Sequence, residues 1–163
     1  LTSRGLLNVP AGRYVNPRVC DAANLRKVAG ALAEPGVEIR YQSFEAVVHE
    51  ARNGDFLYFD PPYAPLSETS CFTSYTADGF TDAHQERLQQ AVVALAARGC
   101  RVILSNSTAP LVQRLYARSP EARHAGLSAH TVLARRAINS RATRRGPVRE
   151  FIITNLPRRA RAN

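Results

Sequence analysis

The residues best placed to do chemistry stand together at Asp60-Pro61-Pro62-Tyr63, directly after the apolar run Phe56-Leu57-Tyr58-Phe59. A carboxylate is a hydrogen-bond acceptor only, and the Pro61 carbonyl is a second acceptor close by in the chain. An amino group conjugated to an aromatic ring, such as the exocyclic amine of a nucleobase, is a poor nucleophile because its lone pair is delocalised. Two acceptors facing its two hydrogens draw the nitrogen toward tetrahedral geometry and free the lone pair for attack. Proline's locked φ fixes the direction of the Pro61 carbonyl, and its ring biases the preceding residue to an extended shape. With Pro62 next in line the acceptors form a stiff clamp. Tyr63 adds a ring on which a base taken out of its duplex can stack. The competing reading is a rigid turn with Tyr63 in the core; the apolar strand in front of the acid favours the chemical one.

These residues need a frame, and the pattern of the chain supplies one. Asn8–Tyr14 (NVPAGRY) reads as a turn or short hairpin. A short helix is expected over Asn24–Ala33, stopped by Glu34-Pro35-Gly36, and a strand over Val37–Tyr41. Ser43 looks like the N-cap of a helix over Phe44–Arg52, and Asn53-Gly54-Asp55 turns the chain into a buried strand at Phe56–Phe59. Thr81 caps a helix from Asp82 to about Arg98, with Leu88, Ala91, Val92, Leu95 and Ala96 on one face and Gly99 ending it. Val102–Leu104 is a short buried strand running into Ser105-Asn106. A helix over Ala109–Ala117 and strands over Thr131–Ile138 and Phe151–Thr154 follow, the two strands joined by an arginine-rich loop. Alternating strands and helices predict an α/β fold with a mostly parallel sheet. Ligands bind such sheets at the carboxyl ends of the strands. Asp60–Tyr63 and Ser105-Asn106 both fall at such ends, and Ser43 just beyond one.

Composition bounds the partners. The chain has 163 residues and is 45% hydrophobic, enough for a real core. No apolar run reaches the ~20 residues of a membrane helix, and no signal peptide is visible. It carries no methionine, not even at position 1, which suggests a piece of a longer protein. Cys20, Cys71 and Cys100 form no CxxC pair, and His49, His84, His124 and His130 have no ligand spacing, with His84 reading as a surface histidine. A disulfide framework or a metal site is therefore not expected, and a reducing cytoplasm is. The net charge is +9. All of it lies in residues 123–163, where ten arginines face one acid, Glu150, because residues 1–122 balance 12 basic against 12 acidic side chains. A basic segment of this kind points to a polyanion such as nucleic acid; a solvated tail is the alternative.

The run from DPPY through APLSETSCFTSYTADGFT, after its apolar strand, resembles the Dam-type DNA adenine methyltransferases. Arg4–Tyr14 (RGLLNVPAGRY) resembles that family's DNA-recognition hairpin. Val102–Asn106 (VILSN) and Ala134–Asn155 (ARRAINSRATRRGPVREFIITN) resemble its later strands and basic loop. The resemblance covers nearly the whole chain in the family's order. It implies a Rossmann-like methyltransferase fold, double-stranded DNA as substrate and S-adenosylmethionine as cofactor. It makes Asp60, Pro61, Pro62 and Tyr63 the catalytic clamp on the target base. Ser43, Phe44 and Asp60 are then the cofactor contacts, with Phe44 as the ring beside the cofactor's adenine. Asn8, Pro10 and Arg13 become DNA contacts in the hairpin, where Arg13 can read guanine bidentately. Arg135, Arg136, Arg141, Arg144 and Arg145 become phosphate contacts, giving affinity rather than sequence choice. On an ordinary reading Phe44 is a core aromatic and Arg13 a surface cation.

One departure stands out. No two of the nine glycines are separated by a single residue, so the glycine-rich loop that opens the family's cofactor half is absent. The chain therefore resembles the family's C-terminal portion, with residues 1–36 a remnant of the recognition domain and 37–163 the later part of the catalytic domain. The missing N-terminal half becomes an expected partner. Two further functions remain open on sequence grounds. One is an RNA or cytosine amino-methyltransferase, against which the NVPAGRY hairpin argues. The other is an inactive nucleic-acid-binding remnant. Carbon methylation of cytosine is disfavoured, because Val19, Ser70 and Gly99, not proline, precede the three cysteines.

Overall fold

The computed structural model describes residues 20–66, 79–135 and 147–157. The chain divides into two compact units, Leu1–Tyr41 and Gln42–Asn163. In the first, helix α1 spans Ala22–Leu32, and its N-cap Asp21 accepts a hydrogen bond from the Asn24 N–H at 3.2 Å. The strand expected at Val37–Tyr41 is not among the strands of the described residues, and Ile39 and Tyr41 are 77% and 106% exposed. β-propensity alone does not make a strand without a neighbour to complete its ladder. The candidate hairpin with Asn8, Pro10 and Arg13 lies outside the described residues.

The second unit is built on a four-stranded sheet. Helix α2 spans Ala46–Glu50, shorter than the Phe44–Arg52 expected. Its first turns are tight, with the N–H groups of Ala46 and Val47 bonding to the carbonyls of Ser43 and Phe44, and Ser43 Oγ accepts from the Glu45 N–H at 3.4 Å. Strand β1 is Phe56–Phe59, α3 is Asp82–Ala97 and β2 is Arg101–Ser107. A short helix α4, Pro110–Val112, runs into a π-helical turn over Gln113–Ala117, followed by α5, Pro120–His124. Strands β3, Ser128–Arg135, and β4, Pro147–Thr154, close the unit.

The strand order is β1-β2-β4-β3. Among the described strands only β1 and β2 are parallel, joined through α3. β4 lies antiparallel to both β2 and β3, so the sheet is mixed and mostly antiparallel rather than mostly parallel as expected. The reason is the β3–β4 connection. A parallel return needs a crossover, usually a helix, and the arginine-rich segment between Arg135 and Pro147 carries no apolar helical face. Hairpin pairing then brings β4 back alongside β3, from Ser128 opposite Thr154 to Arg135 opposite Pro147.

The core lies where α3 meets one face of this sheet. Val102, Leu104 and Asn106 alternate along β2 and share that face with Ile153 and Phe151 of β4, opposite Leu104 and Asn106. Leu88, Val92 and Leu95 of α3 pack over them, each buried. The opposite face is open at β1. Phe56 and Tyr58 are each 58% exposed, which corrects the expectation of a fully buried strand: among the described residues β1 has a neighbouring strand on one side only. Two turns seat the beginnings of β1 and β2. Gly54 (φ +92°) and Gly99 (φ +88°) both adopt left-handed backbone, and the Gly54 N–H donates to the Gly99 carbonyl at 3.1 Å. A Cβ on Gly99 would stand 2.6 Å from Asn53 Oδ1. At the far edge of β2, Asn155 extends the ladder by accepting from the Val102 N–H at 2.8 Å and donating to the Cys100 carbonyl at 2.7 Å. Among the described residues no helix is long and apolar enough to cross a membrane.

Candidate active site

The carboxyl ends of β1 and β2 sit side by side, because the two strands pair in parallel with Phe59 opposite Leu104. That register puts Asp60 next to Ser105. Ser105 Oγ donates to Asp60 Oδ1 at 2.7 Å, so the carboxylate is held by its neighbour strand and keeps its other oxygen for a further donor. The Tyr58 hydroxyl stands 3.4 Å from the same Ser105 oxygen.

The prolines are held as well. Gln85, from the first turns of α3, donates through Nε2 to the Pro62 carbonyl at 2.9 Å. Its Oε1 accepts from Asn106 Nδ2 at 3.0 Å. Asn106 Oδ1 accepts from the backbone N–H groups of Ala64 at 3.0 Å and Ser107 at 2.8 Å, and Ser107 Oγ donates to the Ala64 carbonyl at 2.6 Å. Gln85, Asn106 and Ser107 are all buried. Three consecutive polar residues at the end of β2 and one on α3 thus carry the backbone and side-chain contacts of the 60–64 turn.

Tyr63 is half-buried beside this turn. Its hydroxyl donates to Glu150 Oε2 of β4 in a long contact of 3.5 Å. Burial raises the Tyr63 phenol above its ordinary value; the Ser105 hydrogen bond opposes this, and the carboxylates of Glu150 and Asp60 add to it. Tyr63 therefore stays a neutral donor at neutral pH. Glu150, the lone acid of the basic C-terminal quarter, has this contact as a local use that charge counting did not reveal.

A cavity of about 480 Å³ opens in front of the turn, lined by Ser43, Phe44, Asp60 and Pro61 together with Phe80 and His84. The sequence-predicted residues Ser43, Phe44, Asp60, Pro61 and Pro62 thus share one cavity, while Tyr63 stands apart from it. Phe44 and Phe80 are 6.1 Å apart between ring centroids, tilted by 57°, and Phe80 and His84 are 5.2 Å apart. Thr81 caps α3 as expected, and His84 Nδ1 accepts from the Thr81 N–H at 3.2 Å, so this histidine has a structural partner and a place at the cavity wall. At the rim, Arg87 pairs with Glu45 at 3.3 Å. The Glu45 carboxyl is held below its usual range, first by its hydrogen bond with Ser43 and less by Arg87. Phe80, Gln85 and Arg87 were not singled out from sequence. Arg135 ends β3, while Arg136, Arg141, Arg144 and Arg145 lie outside the described residues.

A carboxylate held by Ser105 at the end of a strand, on a cavity also lined by Pro61, Phe44 and Phe80, suits hydrogen bonding to an amine next to a bound co-substrate. The family model for D12 class N6 adenine-specific DNA methyltransferases matches residues 1–138. The chain belongs to this family. It is similar to a type II methyltransferase of Lactococcus lactis subsp. cremoris, at 40% identity over 95% of the chain and 52% of that relative. A type II methyltransferase of Methanocaldococcus jannaschii is 38% identical over 95% of the chain and 51% of its own length. The DNA adenine methylase of Escherichia coli strain K12 is 31% identical over 94% and 51%. The chain spans about half the length of the curated relatives it matches. For a D12-class chain, the cavity brings together side chains from three places in the sequence, 43–44, 60–62 and 80–88, each anchored by its own hydrogen bonds.

Proposed function

We propose that the protein of which this chain is part transfers a methyl group from S-adenosylmethionine to the exocyclic amino nitrogen of adenine in double-stranded DNA. The observation that carries this reading is the Asp60–Pro61 acceptor pair, with Asp60 tied to Ser105 at 2.7 Å and facing the cavity walled by Phe44. The chain belongs to a family of adenine-specific DNA methyltransferases, which favours adenine over the RNA or cytosine amine left open by sequence.

Each residue then has a task. Asp60 accepts one hydrogen of the target amine and the Pro61 carbonyl accepts the other, so positive charge developing on nitrogen meets a fixed acceptor pair. Pro62 stiffens the turn, and Tyr63 offers its ring face to the extruded base while its hydroxyl is tethered toward Glu150. Ser43 and Phe44 fit one side of a nucleoside: the cavity gives an aromatic wall of Phe44 and Phe80 and a polar rim. S-adenosylmethionine supplies the electrophilic methyl group, and Asp60 lies where it can border both cofactor and base. Asn8, Pro10 and Arg13 act on DNA from the recognition part, residues 1–36. Arg135, Arg136, Arg141, Arg144 and Arg145 contact phosphates from the catalytic part, residues 37–163.

The remaining half of the cofactor site belongs to an N-terminal segment of the same enzyme. Two observations support this: relatives about twice as long, and the open sheet face at Phe56 and Tyr58 that such a segment would cover. A DNA substrate puts the enzyme in the cytoplasm. The test is methyl transfer by the full-length parent carrying Asp60→Ala. The rate falls at least about 100-fold, the usual loss for one preorganised electrostatic contact, while DNA affinity holds. Activity within about threefold of wild type refutes the assignment, since that is far less than such a contact contributes.

A further inference from the structure

The clearest unexplained feature of the second unit is a polar residue where an apolar one belongs. Gln85 lies on the face of α3 that carries Leu88, Val92 and Leu95, and only 1% of its surface is exposed. Those three apolar residues already dock the helix, so Gln85 is not needed for that purpose. Burying an amide is unfavourable unless both ends are satisfied, and here both are, by the Pro62 carbonyl and by Asn106.

The orientation of the relay is forced. Two backbone N–H groups, of Ala64 and Ser107, point at one end of the Asn106 amide, so that end is the oxygen. Its nitrogen therefore faces Gln85 and must meet the Gln85 oxygen, which turns the Gln85 nitrogen to the Pro62 carbonyl. The relay ends one torsion away from the reacting pair. Pro62 φ is locked by its ring and the peptide bonds are trans, so only Pro62 ψ separates the Pro62 carbonyl from the Pro61 carbonyl.

We propose that Gln85 is a positioning residue for methyl transfer: by holding the Pro62 carbonyl it sets the direction in which the Pro61 carbonyl meets the target amine. This rests on the reading of Asp60 and Pro61 given above. Gln85 acts through the turn and touches neither base nor cofactor.

Two variants of the full-length parent test it, with unmethylated bacterial genomic DNA and radiolabelled S-adenosylmethionine as probes. Gln85→Met keeps the volume and removes the donor. Its kcat falls about 10- to 100-fold at every pH, as for a misplaced catalytic group, with both KM values within about threefold of wild type. Gln85→Glu presents an acceptor to the Pro62 carbonyl when ionised and a donor when protonated. Burial raises the pKa of such a carboxyl. Its kcat is therefore as low as that of Gln85→Met near pH 8.5 and climbs toward wild type by about pH 6, while thermal melts at both pH values show a folded protein. The proposal is overturned if Gln85→Met keeps kcat within about threefold of wild type, or if Gln85→Glu follows Gln85→Met at every pH. Where Gln85→Glu does not fold, Gln85→Met alone decides. Asp60→Ala in the same assay separates the two levels. A wild-type parent that methylates no adenine overturns the functional reading itself. An active wild type and silent Asp60→Ala, with Gln85→Met near wild type, overturn only the role of Gln85.

Discussion

Replacing Asn106 by alanine should be one of the most damaging single changes in the molecule, and its size can be worked out from the contacts. The side chain is fully buried, accepts from two backbone N–H groups at 3.0 and 2.8 Å and donates to Gln85 at 3.0 Å. Truncation removes three hydrogen bonds worth about 1 kcal/mol each net, and leaves partners inside the protein whose loss of any bond costs about 1–3 kcal/mol apiece. Relaxation and entry of water recover part of that, so the net loss is about 3–5 kcal/mol, the upper end for point changes. At about 2–4 °C per kcal/mol, the melting temperature of the parent's catalytic domain falls by about 10 °C. Differential scanning calorimetry of the full-length parent measures it. The control is Arg87→Ala, which breaks an ion pair to Glu45 whose side chains are 53% and 41% exposed; such surface pairs contribute about 0–1 kcal/mol. If Asn106→Ala melts no lower than Arg87→Ala, the buried relay does not hold the 60–64 turn and the energetic argument for it is wrong.

Four further outcomes follow from particular features. Tyr116 is buried at 2% exposure with no partner for its hydroxyl among the described residues, so Tyr116→Phe should stabilise the parent by about 1 kcal/mol in urea titration, and a loss of stability would refute this. Burial also pushes the Tyr116 phenol far above its ordinary value, and that of Tyr63 in the same direction. Both groups hold protons more tightly folded than unfolded, so their contribution is complete below about pH 10 and is lost as pH rises from there. Alkaline unfolding should therefore be shallower in Tyr116→Phe, and identical slopes in the two proteins would show that Tyr116 does not titrate on unfolding. Gly99→Ala should destabilise by about 1–3 kcal/mol, because it combines left-handed backbone with a Cβ 2.6 Å from Asn53 Oδ1; a neutral result in thermal melts would mean the Asn53–Gly99 contact is soft. The 163-residue chain alone should bind no S-adenosylmethionine by calorimetry and should aggregate through the open face at Phe56 and Tyr58, both cured by adding the parent's N-terminal region in trans; saturable binding by the isolated chain would show that the cofactor site is already complete.

The strand–acid–proline order, the α3 boundaries and the ends of β1 were legible because each rests on local chemistry: Gly54 and Gly99 turn the chain, Thr81 caps, and the apolar spacing of α3 has a single helical phase. The pairing direction of the later strands was not legible in the same way. Sequence shows that β3 and β4 exist but fixes their direction only through the segment between them, and its arginines read as function before they read as topology. The openness of β1 was hidden for a different reason. Four apolar residues in a row look the same whether their second face is covered by this chain or by another part of the protein.

Gln85 is the instructive case, because its signal was present. Counting back along α3 from Leu95 through Val92 and Leu88 lands on Gln85, a polar residue in the apolar phase of the helix. Counting along β2 from Val102 through Leu104 lands on Asn106, a polar residue in the buried phase of the strand. One such residue is often a tolerated defect. Two, on consecutive elements that the β1–α3–β2 crossover must pack together, have few partners other than each other. The hydrogen bond of 3.0 Å between them is the outcome that the two periodicities jointly require. The same reasoning points to the 60–64 turn as the third party. Once Gln85 and Asn106 have paired, each has polar atoms left over, and, beside the Ser107 N–H, it is the backbone that carries Asp60, Pro61 and Pro62 past the end of β1 that satisfies them.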